Sequence, residues 1–178
     1  MTRGGRAVLV AVLLAGLFAG LHGTVQADAG PPRAADVEAE LRVLTVRQVL
    51  ERHFGCGPVP GAGYRQVAAG GAAWVALAAR LLASSDACHR EGLQSALGEA
   101  MRRAPQRVLP LLGRAPELAV ERICLSFIPQ ELPAAQRLRQ LALSRRALER
   151  VDDPALAGAR GACLDFIGQV EAGAEARR

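Results

Sequence analysis

The sequence predicts an all-α protein, a compact array of six to seven short helices joined by Pro/Gly turns and cross-linked by two disulfides. Apolar residues recur at spacings of three and four, which is the periodicity of a helix with one buried face. Stretches of alternating apolar and polar residues are missing, and aromatic residues make up only 3% of the chain. Ten prolines and 19 glycines divide the 178 residues into short segments. This length is sufficient for one domain with a substantial core.

The N-terminal segment has the composition of a secretory signal peptide. Arg3 and Arg6 precede an uncharged, Leu/Val/Ala-rich run over residues 7–21, and small residues follow at the predicted cleavage region. The run is shorter than the roughly 20 residues that a membrane-spanning helix needs. We therefore expect residues 1–27 to be removed, with cleavage after residue 29 as the alternative. The product should be periplasmic or secreted, with no integral membrane segment after cleavage.

Charge gives little indication of a partner. The formal net charge is +5 and falls to +3 when Arg3 and Arg6 are removed with the signal peptide. Such a mild excess does not indicate nucleic-acid binding. All 22 basic residues are arginine, which agrees with the richness in Ala, Gly and Pro and so is most simply a compositional bias.

The first part of the mature chain is predicted to be a lead-in followed by a helix. Residues 28–35 contain a glycine and two prolines without periodicity, which predicts a flexible segment. A single helical domain is then predicted over residues 36–172. Asp36 is the expected N-cap of a first helix that continues to about His53 and ends at Gly55.

The rest of the domain is predicted as short helices separated by turns. Residues 55–63 contain four glycines and two prolines and should form a loop. Helical periodicity returns over residues 72–83 and again between Asp86, as N-cap, and Arg103. Residues 173–178 should form a frayed tail. The later helices are expected to begin with proline, which is well tolerated in the first turn: Pro105, Pro116, Pro133 and Pro154.

Four cysteines lie in the mature chain, and an even number in an exported protein indicates disulfides. Three pairings are possible. We predict Cys56–Cys88 and Cys124–Cys163, which cross-link the N-terminal and C-terminal parts of the domain separately. Closing loops of this length stabilises the fold by roughly 3–4 kcal/mol each in the chain-entropy model.

Two histidines next to cysteines suggest an alternative. His53 precedes Cys56 by three residues and His89 follows Cys88, so that the four side chains could form a tetrahedral zinc site. Each pair is mixed, however, whereas zinc knuckles have the form Cys-x2–4-Cys. The disulfide is therefore the preferred interpretation, and we expect no metal or other cofactor. A small periplasmic metal-binding protein or enzyme that uses His53 and His89 stays the alternative.

No catalytic motif is present, and we predict no catalytic residue. The sequence lacks Gly-x-Ser-x-Gly, Cys-x-x-Cys and a phosphate-binding loop. The pair Asp152-Asp153 precedes Pro154 and an apolar helix, so Asp153 is interpreted as an N-cap and not as part of a carboxylate pair.

The helix predicted after Pro133 is rich in arginine. Arg139, Arg146 and Arg150 share one face, opposite much of the apolar face, and could bind an acidic partner. Anionic lipid is the other ligand of such a face, but the bulky aromatic residues typical of membrane-surface helices are missing. The sequence thus favours an exported protein-binding module, such as an adaptor, inhibitor or immunity-type protein, with a protein partner in the cell envelope.

Overall fold

The structure is a computed structural model that describes residues 30–57, 59–129 and 131–175. The signal peptide predicted over residues 1–27 and the end of the predicted tail, residues 176–178, lie outside the described residues. The predicted fold class is confirmed, because the described part of the chain consists of helices and connecting turns without any strand.

The described residues form nine α-helices. This is more than the six to seven expected, because several predicted helices are divided into shorter ones. The α-helices are α1 Ala34–Glu40, α2 Val46–His53, α3 Ala62–Ala68, α4 Ala72–Leu82, α5 Ala87–Arg103, α6 Pro105–Val108, α7 Val120–Ile123, α8 Ala134–Glu149 and α9 Ala157–Glu175. Three short 3-10 helices complete the set: Leu109–Leu111, Pro116–Leu118 and Pro154–Leu156. Each 3-10 helix carries a proline in its first turn, in keeping with the predicted role of proline at helix starts.

The helix predicted from Asp36 to His53 is in fact two helices. A second helix starts because Thr45 and Gln48 form a capping box, in which each side chain bonds to the backbone N–H of the other residue. The Thr45 Oγ1 atom accepts from the Gln48 N–H at 3.3 Å, and Gln48 Oε1 accepts from the Thr45 N–H at 3.0 Å. These bonds satisfy N–H groups that a new helix start leaves open.

Two of the three predicted aspartate caps are confirmed. The third, Asp36, is wrong, because it lies inside the first turn of α1, whose N-cap is Arg33. The Asp86 carboxylate accepts from the His89 N–H at 3.0 Å and starts α5. The Asp153 carboxylate accepts from the Ala155 N–H at 2.9 Å before the last helix. Both residues therefore act on the backbone N–H groups that lack partners at a helix N-terminus.

Helix α5 is the central element of the core. It packs against α3, α4, α6, α7 and α8, and its side chains Leu93, Leu97 and Met101 are almost fully buried. Trp74 of α4 is 8% exposed and belongs to the same core. Glycine allows α3 to approach α5 closely, since a Cβ atom at Gly92 would lie 2.5 Å from the ring of Tyr64.

Among the described residues, no helix is both long and apolar enough to cross a bilayer.

Candidate functional site

Both disulfides have the predicted pairing, Cys56–Cys88 and Cys124–Cys163. Their surroundings differ. Cys124 and Cys163 are 1% and 0% exposed and link the end of α7 to α9 inside the core. Cys56 and Cys88 are both exposed to solvent. The Cys56–Cys88 disulfide therefore lies at the protein surface, where other molecules can reach it.

The exposed disulfide borders a cleft of about 740 Å³. One wall is the outer face of α5, and the opposite wall is formed by α3 and the loop around Gly57 and Pro60. At the α5 end far from the disulfide, Arg103 donates to Glu99 at 3.0 Å and also to the carbonyl of Ala68. The cleft therefore has a charged pair at one end and the disulfide at the other.

Tyr64 lies in the wall of this cleft. Its hydroxyl group is buried and has no hydrogen-bond partner among the described residues. Burial raises the pKa of Tyr64 to about 12, and the charge of Asp86 acts in the same direction. Its ring contacts the ring of Phe54 edge to face, with 5.2 Å between the centroids. The phenol consequently stays neutral at physiological pH.

His89 and Asp86 lie beside the exposed disulfide. His89 is 5% exposed, and its Nδ1 atom is 2.9 Å from Asp86 Oδ1. The hydrogen bond from the His89 backbone N–H, together with the bond to the ring, holds the pKa of Asp86 below its usual value. The other ring nitrogen, Nε2, is buried and has no partner in the part of the chain that the structure describes.

These two side chains form a group with Cys56. One ring nitrogen of His89, one carboxylate oxygen of Asp86 and the Cys56 Sγ atom all lie within 4.8 Å of one another. Cys56, Asp86 and His89 are the one such group of three or more potential metal ligands within the described ranges. Asp86 was not predicted as a member of this group, although its position three residues before His89 places the two side chains one helical turn apart.

His53 has a different neighbour. Its Nε2 atom is 2.9 Å from Glu40 Oε2, and Arg52 donates to the same oxygen at 3.1 Å. The hydrogen bond from the His53 ring is the main cause that holds the pKa of Glu40 below its usual value. His53 is therefore occupied in a contact between α1 and α2, and it is not a member of the group around Cys56.

The predicted arginine face is on α8. Arg139, Arg146 and Arg150 are exposed, and none of the three forms an ion pair or a side-chain hydrogen bond with the described residues. Leu143 lies on the same stripe, one turn from Arg139 and from Arg146, and is 38% exposed. Arg145, by contrast, is paired with Glu171 of α9.

We call Arg139, Leu143, Arg146 and Arg150 the arginine face. It extends over 12 residues, from Arg139 within α8 to Arg150 at its C-cap, or about 16 Å at the helical rise per residue. The face predicted from the sequence did not include its apolar member, Leu143. The i, i+4, i+7, i+11 spacing of the four residues was the signal that could have identified it.

Comparison of the chain with models of protein families, with curated proteins and with solved structures found no match.

Proposed function

We propose that this protein is an exported helical binding module that docks an acidic partner protein of the cell envelope on its arginine face. The observation that carries the proposal is the set of three exposed guanidinium groups without an ion-pair partner in the described part of the chain, grouped around the exposed Leu143. The predicted signal peptide and the two disulfides support a place in an oxidising compartment.

The chemistry of the face suits carboxylates. A guanidinium group is planar and binds a carboxylate through two parallel hydrogen bonds. Arginine is enriched in protein interfaces, where its charge is combined with apolar contact area. Leu143 supplies such an area at the centre of the face, so that a partner can bury one apolar side chain among several ion pairs.

A protein partner fits the face better than a lipid surface does. A helix that lies on a membrane inserts a broad apolar face, usually with aromatic residues. The broad apolar face of α8 is already used inside the protein, since Leu141 and Leu148 are each 1% exposed. Among the described residues on the side of α8 opposite Leu141 and Leu148, Leu143 is the only large apolar side chain that is exposed. Its apolar area is too small to anchor the helix in lipid.

The test is a comparison of two triple variants with equal change in charge. One replaces Arg139, Arg146 and Arg150 with glutamine. The control replaces Arg42, Arg114 and Arg122, which are also exposed and lie elsewhere in the chain. A photo-crosslinking residue at position 143 covalently captures the partner from an envelope extract, and mass spectrometry identifies it.

We expect the crosslink to an acidic protein to be lost in the Arg139/Arg146/Arg150 variant and kept in the control. Binding of the purified partner should weaken as salt is added, because the ion pairs lie at the surface. Equal binding by both variants, or equal loss in both, would contradict docking on this face. Thermal unfolding of both variants should resemble that of the wild type, since the replaced side chains are exposed.

A further inference from the structure

The two disulfides differ in the access that a reductant has to them. Thiol–disulfide exchange requires a thiolate to reach a sulfur atom and attack it. Cys56 and Cys88 are exposed at the edge of the cleft, whereas Cys124 and Cys163 are buried in the core. A dithiol of ordinary size can therefore reach Cys56–Cys88 in the folded protein, and the core disulfide is shielded.

Reduction would free two sulfur ligands beside two further donors. The Cys56 Sγ atom is within 4.8 Å of a ring nitrogen of His89 and a carboxylate oxygen of Asp86. Cys88 is the disulfide partner of Cys56, and the Cα atoms of the two cysteines are 6.1 Å apart. We infer that Cys56, Cys88, Asp86 and His89 form a redox-gated zinc site, which is closed in the disulfide form and binds one Zn²⁺ when the disulfide is reduced. This inference does not depend on docking at the arginine face.

The donor set is the first argument for zinc. Two thiolates, an imidazole and a carboxylate are all ligands that Zn²⁺ accepts in tetrahedral sites. In a tetrahedron with Zn–S bonds of about 2.3 Å, neighbouring ligand atoms are about 3.8 Å apart. The ligand atoms of Cys56, Asp86 and His89 are separated by up to 4.8 Å, which is close to this value. Small side-chain rotations would therefore bring them to the distances of a tetrahedral zinc site.

The histidine is the second argument. Its side chain is 6% exposed, and its Nε2 atom has no hydrogen-bond partner within the described residues. A buried polar atom without a partner is unfavourable, and its presence calls for an explanation. The imidazole thus has binding capacity that the rest of the described chain does not use.

The electrons and protons balance in two steps. A dithiol transfers two electrons and two protons to Cys56–Cys88, and it becomes a disulfide itself. Zn²⁺ then replaces the two thiol protons, which are released to solvent. Cys88 lies in the first turn of α5, where the positive end of the helix dipole favours its thiolate form. In the reverse step the disulfide of an oxidising dithiol protein takes two electrons from the two thiolates and leaves as a dithiol after binding two protons, so that Cys56–Cys88 re-forms and the Zn²⁺ is released.

The first measurement is selective reduction of the full mature protein by graded dithiothreitol, with alkylation of free thiols and mass spectrometry. We expect Cys56 and Cys88 to be alkylated at reductant concentrations that leave Cys124–Cys163 intact. Simultaneous reduction of both pairs at every concentration would contradict the inference, because the gate requires the exposed pair to open first.

The second measurement is metal binding after the reductant has been removed under anaerobic conditions. Reduced protein should bind one Zn²⁺ per chain, and Co²⁺ in its place should give the intense absorption of a tetrahedral, thiolate-bound ion. The oxidised protein and a Cys56→Ser/Cys88→Ser variant should bind at least about tenfold more weakly, given that even outer-shell changes cost tenfold or more. Equal Zn²⁺ affinity in the reduced protein and this double variant would overturn the inference.

Two pairs of variants identify the remaining ligands. His89→Gln should weaken Zn²⁺ binding by at least about tenfold, whereas His53→Gln should leave it unchanged. Asp86→Asn should weaken it as well, while Asp165→Asn, an exposed control, should not. Asparagine also caps helices well, so Asp86→Asn keeps the start of α5 and decides the question if His89→Gln fails to fold. Full Zn²⁺ affinity in Asp86→Asn, or loss of binding in His53→Gln, would assign the metal to other residues.

Discussion

The carboxylate of Glu40 receives hydrogen bonds from two side chains of α2, His53 and Arg52, at 2.9 and 3.1 Å. The bond from His53 is the largest cause that lowers the pKa of Glu40 in the folded protein. A carboxyl group with a lowered pKa stabilises the fold above its ordinary pKa. This stabilisation is lost as the pH falls through the lowered value.

Glu40→Gln should therefore make the free energy of unfolding less dependent on pH on the acidic side. The wild type should lose stability from about pH 4.3 downward, the ordinary pKa of glutamate, and the variant should lose less over the same interval. Denaturant unfolding at a series of pH values measures this. Glu51→Gln is the matched control, since Glu51 is exposed on α2, the helix of His53 and Arg52, and has no ion-pair partner among the described residues. An equal slope in wild type and Glu40→Gln would show that the contact with His53 does not favour the carboxylate.

Helix α5 contacts the last residue of α7 and the segment that follows it at Gly98, where there is no room for a side chain. A Cβ atom at this position would lie 2.7 Å from the carbonyl oxygen of Ile123 and 2.7 Å from the ring of Phe127. The carbonyl belongs to the backbone, so that relief of the contact requires the two elements to separate. Gly161 in α9 is also a helical glycine, but nothing lies within 4 Å of the corresponding position.

Opposite effects on stability are expected for alanine at these two glycines. Gly98→Ala should lower the free energy of unfolding by about 1–3 kcal/mol, the usual cost of overpacking. Gly161→Ala should raise it by about 0.5–1 kcal/mol, because alanine has the better helix propensity and meets no neighbour. Chemical denaturation of both variants tests the pair. Stabilisation by Gly98→Ala would mean that α5 and the segment after α7 are less closely packed than described.

The helices show which local features a sequence can predict. Asp86 and Asp153 were expected as caps and are caps, because a helix start depends on a few neighbouring residues. The break between α1 and α2 was missed, although Thr45 and Gln48 have the spacing of a capping box. The apolar periodicity continues through the break and gave no indication of it.

The site could be predicted only in part. The pairing of the cysteines is as predicted. Arg139, Arg146 and Arg150 are exposed, in keeping with their helical spacing, and their role in binding stays a prediction. The group of Cys56 with Asp86 and His89 depends on how the loop before α3 packs against the start of α5. No periodicity in the sequence reports such a contact.

The two disulfides close loops of 32 and 39 residues, so the chain-entropy model assigns them nearly the same effect on stability. Because the two disulfides differ in burial, their removal should lower the free energy of unfolding by different amounts. Replacing Cys124 and Cys163 with alanine also leaves a cavity in the core, whereas alanine at Cys56 and Cys88 does not. We expect the Cys124→Ala/Cys163→Ala variant to be less stable than the Cys56→Ala/Cys88→Ala variant by at least about 1 kcal/mol.

Denaturant unfolding of the two double variants under identical conditions checks this difference. The single variants are unsuitable controls because each leaves a free thiol that can form mixed disulfides. Equal stability of the two double variants would show that loop closure alone determines the effect and that the buried sulfur atoms contribute nothing to the core.

Each disulfide joins cysteines that are consecutive along the chain, the first to the second and the third to the fourth. When the polypeptide emerges with its N-terminus first, Cys88 becomes accessible to an oxidant while Cys124 is still 36 residues behind it. The first two thiols that can meet are therefore native partners, and the same holds for the last two. The order of emergence therefore favours the native pairing over the two crossed pairings.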